Sequence, residues 1–170
     1  MHADEIRALF GYTAWANARI LDAAARVPAE EFTRAALGPC RLHNTLRHIL
    51  QAEVFWRCEW QGVEDASEGL PATFPTVGVL RARWDEETQA LDAFLRTLSD
   101  EDLRRPMTPP SSPPETLGQQ LLHLVLHGAQ HRSEVALLLT DLGQSPGWMD
   151  FLPYLNLPYL NTMEPGTGSE

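Results

Sequence analysis

Of the six histidines in this 170-residue sequence, four sit where they could do chemistry: His48, His123, His127 and His131. His127 and His131 enclose Gly-Ala-Gln. On a helix that i, i+4 spacing stacks two imidazoles on one face, one turn apart, where both can reach one ion. The same pairing underlies H-E-x-x-H sites, although the glutamate general base of that motif is absent here. His123 lies two turns before His131, about 80° around the axis and about 12 Å along it, so those three cannot share an ion. A third ligand must come from another helix. His48 is the candidate, because it shares a helical face with Ala52 and Phe55 at the edge of an apolar stripe. Three neutral imidazoles with positions left for water make an open site, suited by ligand type to Zn, Ni, Mn or Fe. The plainer alternative is packing: H-x-x-x-H arises without a metal, and an interior histidine is ordinarily a hydrogen-bonded core residue.

Other polar residues near these histidines carry weaker expectations. Arg132 could bind a carboxylate of a cosubstrate, but an exposed ion pair is the simpler expectation. Glu53 could orient an imidazole from behind; it lies about 140° from His48 around a helix, which disfavours a direct bond between them. Asn17 and Tyr12 either line the site or cap and pack the first helix. His123 is expected at the core or rim rather than on the ion. The five tryptophans are expected in the core or an interface. Cys40 and Cys58 are read as small buried hydrophobes, and an apolar setting raises a thiol pKa, so neither is marked as a nucleophile.

The elements that must position these residues read almost entirely with helical period. A first helix is predicted from Ala3 to about Ala25, closed by Val27-Pro28, with a short turn of helix over Pro28 to Arg34. The second runs from about Asn44, taken as its N-cap, to Trp60, with Gly62 as a stop signal. The third spans about Thr76 to Leu98, and Ser99-Asp100-Glu101 could cap a final turn. Five prolines between Pro106 and Pro114 forbid helix interior. The fourth covers about Glu115 to Leu142 and stops at Gly143, with a turn around Trp148 to Leu155 after it. Its buried seam is read as Leu117, Leu121, Leu124, Gly128, His131, Val135, Leu138 and Leu142, alternating by four and three. Gly128 costs helix propensity, so something is expected to approach closely there. The second helix has the matching seam Leu42, Leu46, Ile49, Glu53, Trp56 and Trp60, interrupted by a carboxylate. With no convincing strand, the expectation is an all-α four-helix bundle over residues 3–155 and an irregular tail over 156–170.

Composition narrows the partners. There are 13 basic residues against 23 acidic ones, a formal charge of −10. Duplexes and anionic membranes are held through clustered positive charge, so neither nucleic acid nor a membrane surface is expected as the main partner. Every basic residue is arginine, which excludes a lysine Schiff base, pyridoxal phosphate chemistry and a Walker-type phosphate loop. No run approaches the ~18 apolar residues of a membrane span. The acidic start, Met1-His2-Ala3-Asp4-Glu5, does not read as a signal peptide, and a cytoplasmic setting is the expectation.

Three segments carry a family resemblance. Tyr12-Thr-Ala-Trp15-Ala-Asn17-Ala-Arg19-Ile-Leu21 resembles the opening helix of the DinB/YfiT-like metalloenzymes. His48-Ile-Leu-Gln-Ala-Glu53-Val-Phe-Trp56 resembles their second-helix motif. His123-Leu-Val-Leu-His127-Gly-Ala-Gln-His131-Arg132, followed by Leu138-Leu-Thr-Asp-Leu-Gly143, resembles their fourth-helix motif. The resemblance spans roughly Ala3 to Leu155 and implies helices in up-down-down-up order. It implies one divalent ion on three histidines, which map onto His48, His127 and His131, and a homodimer. Related groups use mycothiol, bacillithiol or glutathione as a thiol cosubstrate, so a metal-dependent thiol S-transferase acting on a small-molecule substrate is the function implied. The alternatives are a metal-dependent hydrolase, and a non-enzymatic stress- or damage-induced protein with a structural or incidental metal.

Overall fold

The computed structural model describes residues 1–37, 42–107 and 114–160. Its helices are α1 (Ala3–Ala24), α2 (Ala29–Leu37), α3 (Leu42–Gln61), α4 (Val77–Thr97), α5 (Leu117–Asp141) and α6 (Phe151–Leu160), with a 3₁₀ turn at Asp102–Arg104. The four long helices α1, α3, α4 and α5 are the four expected from periodicity, and no strand occurs among the described residues. Cys40, the Gly38-Pro39 break, most of the proline-rich segment and the end of the tail lie outside the described residues.

Local chemistry sets the helix ends. Thr76 caps α4 by accepting from the Val79 amide, and Thr116 with Gln119 forms a capping box at the start of α5. At the end of α3 the Val63 amide reaches the Cys58 carbonyl and the Gly62 amide reaches Glu59. At the end of α5 Gln144 and Gly143 repeat the pattern on Leu139 and Thr140. Both are Schellman closures, which need a residue at positive φ; Gly62 has φ 64° and Gly143 φ 73°. Two boundaries differ from expectation. Asn44 is not an N-cap, because α3 already includes Leu42 and His43. The expected turn near Trp148 is a helix that continues through 156–160, past the boundary drawn at 155. Pro153 is compatible with it because a first-turn residue has no intrahelical acceptor to lose.

Four pairings fix the helix directions. Ala3 near the start of α1 donates to Asp100, just past the end of α4, while Asp22 pairs with Arg81 near the start of α4. Asn17 meets Arg132 and Arg26 meets Gln144, so α1 and α5 run parallel. Glu53 meets Trp84 and Arg57 meets Glu87, so α3 and α4 run parallel. His48 faces His131 while Trp60 meets Gln120, which makes α3 and α5 antiparallel. The helices therefore form a ring, α1–α5–α3–α4, in which the segment joining the parallel α3 and α4 runs back along α3, where Arg47 near its start holds the Leu70 and Pro71 carbonyls.

Two apolar clusters fill the bundle. One is built around Leu42, Leu46, Leu50, Leu80, Trp84 and Leu139, the other around Ile6, Phe10, Trp60, Leu117 and Leu121. Between them, midway along the helices, the core turns polar. The α3 seam is buried as expected except that Trp56 is only partly covered. The α5 seam drifts: beyond Gly128 the buried positions are Arg132, Val135 and Leu139, while His131, Leu138 and Leu142 are half-buried. A helix with about 3.6 residues per turn cannot hold a strict 3.5-residue seam over its length. That drift carries His131 out to the edge of the bundle and brings Arg132 in.

Candidate metal centre

The α3–α5 contact brings three imidazoles together near one edge. Ring centroids lie 5.0 Å apart for His48 and His127, 4.7 Å for His48 and His131, and 4.5 Å for His127 and His131. One nitrogen from each ring falls within 4.8 Å of the other two. Two atoms bound to one ion at about 2.1 Å lie at most about 4.2 Å apart, so small ring rotations suffice to close the set.

Several observations fit a metal. Nε2 of His127 is buried and has no hydrogen-bond partner. A bare imidazole nitrogen inside a protein is costly unless something satisfies it. Burial, then the neighbouring His131 and His48, pushes the His127 pKa down to about 4. The His48 pKa is also lowered, first by burial and then by His131. Both rings are thus neutral at neutral pH, the form that ligates. The Glu134 carboxylate, one turn beyond His131, lies 2.9 Å from its Nδ1. That bond holds a proton on Nδ1 and leaves Nε2 as the lone-pair donor. Glu134 was not singled out from the sequence, although its i, i+3 spacing from His131 was the available signal.

His123 is outside the set. It sits one turn before His127, with 6.0 Å between ring centroids, and packs edge-on against Trp56 at 5.6 Å.

The remaining residues named from the sequence form a second polar centre instead. Arg132 is not an exposed ion pair: it is 2% exposed and its guanidinium folds back over Gly128. A Cβ at Gly128 would lie 2.7 Å from its Nη1, which is the close approach that glycine signalled. Nη1 donates to Asn17 Oδ1 at 3.2 Å, and the guanidinium lies over the Tyr12 ring. Asn17 in turn donates to Glu53 Oε1 at 2.9 Å, and Trp84 Nε1 donates to Oε2 at 2.7 Å. Glu53 therefore orients no imidazole. Tyr12 donates its hydroxyl to the Met149 carbonyl, tying α1 to the segment before α6. Burial drives the Glu53 pKa up to about 7 against the lowering pull of Asn17, Trp84 and Arg132.

Beside the histidines a groove of about 450 Å³ opens between His48, His127, Phe55 and Trp56, with Asp65 and Glu68 at its rim. Among the tryptophans, Trp60 and Trp84 are core, whereas Trp148 is 79% exposed. Cys58 is buried and unpaired with any other cysteine. Among the described residues no helix is long and apolar enough to cross a membrane.

No curated protein matches the chain at a significant level. A family model does match, over residues 1–164, nearly the whole sequence and all three motif segments. The chain belongs to the DinB family.

Proposed function

We propose that His48, His127 and His131 hold one divalent transition metal, Zn, Ni, Mn or Fe, and that the protein is a metal-dependent enzyme of the thiol S-transferase type. The observation that carries this reading is the convergence of three imidazole nitrogens, two of whose rings, His48 and His127, line an open groove. His48 and His127 have lowered pKa values and are neutral at neutral pH, and a divalent cation is one partner that all three nitrogens can accept together. A structural zinc site is closed by four protein ligands; three ligands beside a groove leave room for a small molecule.

A bound divalent ion would lower the pKa of a coordinated thiol, supplying a thiolate at neutral pH. The chain's own contribution is positional. Glu134 fixes the tautomer of His131, burial keeps His127 unprotonated, and Phe55 and Trp56 give the groove an apolar wall. The test is turnover of electrophilic substrates with excess low-molecular-weight thiol, with and without added metal. Metal-dependent loss of thiol together with substrate supports the transferase. Loss of substrate without thiol points to a hydrolase, and no turnover with full metal loading points to a non-enzymatic metal protein.

The apolar seams are extensive enough to fold without an ion, so the chelated protein is expected to stay helical and to melt at a lower midpoint than the loaded one. We also propose pairing with a second copy. Leu126 and Leu137 lie on one outer stripe of α5, and Trp148, Leu152 and Leu155 are exposed beside α6. Sedimentation at micromolar concentration should show a dimer.

A further inference from the structure

A second cavity, of about 270 Å³, lies between α1 and α4 and has Glu53 of α3 at its floor. Its walls are largely apolar, from Phe10, Ala14, Leu91 and Leu95. It does not open on the histidine side: Glu53 and His48 project from α3 about 140° apart.

The cavity is also lined by Thr88 and Gln89, which carry donors of their own, but its buried carboxylate, Glu53, has spare acceptor capacity. Each Glu53 oxygen has one hydrogen bond, from Asn17 or from Trp84, and a carboxylate oxygen can take two. Both donors are neutral. Glu87, the other buried carboxylate of the core, shows the contrast, since Arg57 grips both of its oxygens and Arg83 approaches as well. Among the described residues the cation close to Glu53 is Arg132, and it stands one amide away behind Asn17. Thr13, on the cavity wall, is buried and its Oγ1 has no partner, although a helical threonine ordinarily donates to a carbonyl one turn back. At the mouth Asp92 adds a second carboxylate. Arg7, the one cation among the described lining residues, spends its guanidinium on the Leu95 and Leu98 carbonyls and on Asp4, and Asp92 is itself paired with Arg96.

We propose that this cavity is a binding site, separate from the histidine cluster, for a small primary amine with an apolar or aromatic body. The ammonium supplies further donors to Glu53, a partner for the Thr13 hydroxyl, and the direct positive partner that Glu87 has and Glu53 does not. The apolar body fills the space between Phe10 and Leu91. A carboxylate of the same size meets Glu53 and Asp92 and is excluded by charge.

The test is calorimetric titration of the full chain with benzylamine, benzyl alcohol, toluene and benzoate, each with and without chelator. Benzylamine should bind with one-to-one stoichiometry, at least roughly tenfold more tightly than benzyl alcohol or toluene, because charged hydrogen bonds are the stronger ones. Benzoate should show no saturable binding, and chelator should change none of this, which keeps the result independent of the metal reading. Glu53→Gln should remove the preference for the amine, and Ala14→Trp, which fills the cavity and leaves the polar groups in place, should abolish binding. Should Glu53→Gln fail to fold, the ligand series and Ala14→Trp decide alone. Absence of saturable benzylamine binding, equal binding of benzylamine and benzoate, or binding undiminished in Ala14→Trp overturns the proposal.

Discussion

The histidine cluster and the Glu53–Asn17–Arg132 network occupy the same two long helices, α3 and α5, less than two turns apart along each, yet their hydrogen-bond chemistry is opposite. In the network, donors alternate with acceptors: guanidinium to amide oxygen, amide nitrogen to carboxylate, indole to carboxylate. It satisfies most of its own polarity and bridges α1, α3, α4 and α5. In the cluster, three nitrogens lie within 4.8 Å of one another, and Nε2 of His127 is buried without a partner. The network draws most of its hydrogen bonds from the chain itself, whereas the cluster is the centre for which we propose a metal ion. Motif residues that lie side by side in sequence, His131 and Arg132 above all, thereby divide between the two centres.

That division can be broken by mutation. The largest effect is expected at Arg132. Replacing it with methionine leaves the Asn17 oxygen unsatisfied in the core and removes the contact with the Tyr12 ring, losses of about 1–3 and about 1–2 kcal/mol. Urea unfolding of Arg132→Met should show a loss of that order, while Arg132→Lys, which keeps a charge but not the planar fork, should recover only part of it. Gly128→Ala should cost less, about 1–3 kcal/mol, because the guanidinium must shift to admit a methyl group.

The two centres also titrate in opposite senses. The unfolded chain holds more protons on His48 and His127 than the folded one, so their contribution to apo stability rises with pH from about 4, the folded pKa of His127, to its ordinary 6.5. Glu53 is the reverse. Its folded pKa is raised from 4.5 to about 7, the folded state holds more protons in that window, and its contribution falls as pH rises through it. The chelated wild type should therefore change little in stability between these limits. Glu53→Gln, with only the histidine effect left, should gain about 1–2 kcal/mol over the same range. Parallel curves would contradict the assignment of Glu53, and a Glu53→Gln curve that is flat over this range would contradict that of the histidines.

The smallest effect is expected behind the histidines. Glu134→Gln keeps a hydrogen-bond acceptor beside His131 and removes the charge, so metal affinity should fall by roughly tenfold with little change in stability. A competition titration against a chromophoric chelator reads this directly.

The helices were legible because their apolar periods are long and their stops are chemical: Gly62 and Gly143 close α3 and α5 by conformations that favour glycine. The histidine grouping was legible for the same reason, since i, i+4 spacing on a helix leaves little freedom. Arg132 was not. Its burial depends on the seam drifting past His131 and on the absence of a Cβ at Gly128, and only the second had a trace in the sequence. Glu53 was visible as a break in an apolar seam, but its partners, Asn17 and Trp84, come from helices whose order no periodicity specifies. Glu134 was passed over because an acidic residue on an exposed helix turn ordinarily marks a solvated face.

The central claim is that three histidines, and not the fourth, complete a metal site that the rest of the chain leaves unsatisfied. Metal analysis of tag-free protein, run in parallel on single alanine variants of His48, His123, His127 and His131, tests it most directly. The account predicts about one divalent ion per chain in the wild type and in His123→Ala, and a loss of affinity of roughly 100-fold or more in each of the other three. A metal-free wild type that no added divalent ion can load, or a His48→Ala variant that keeps its ion while His123→Ala loses it, would contradict the account.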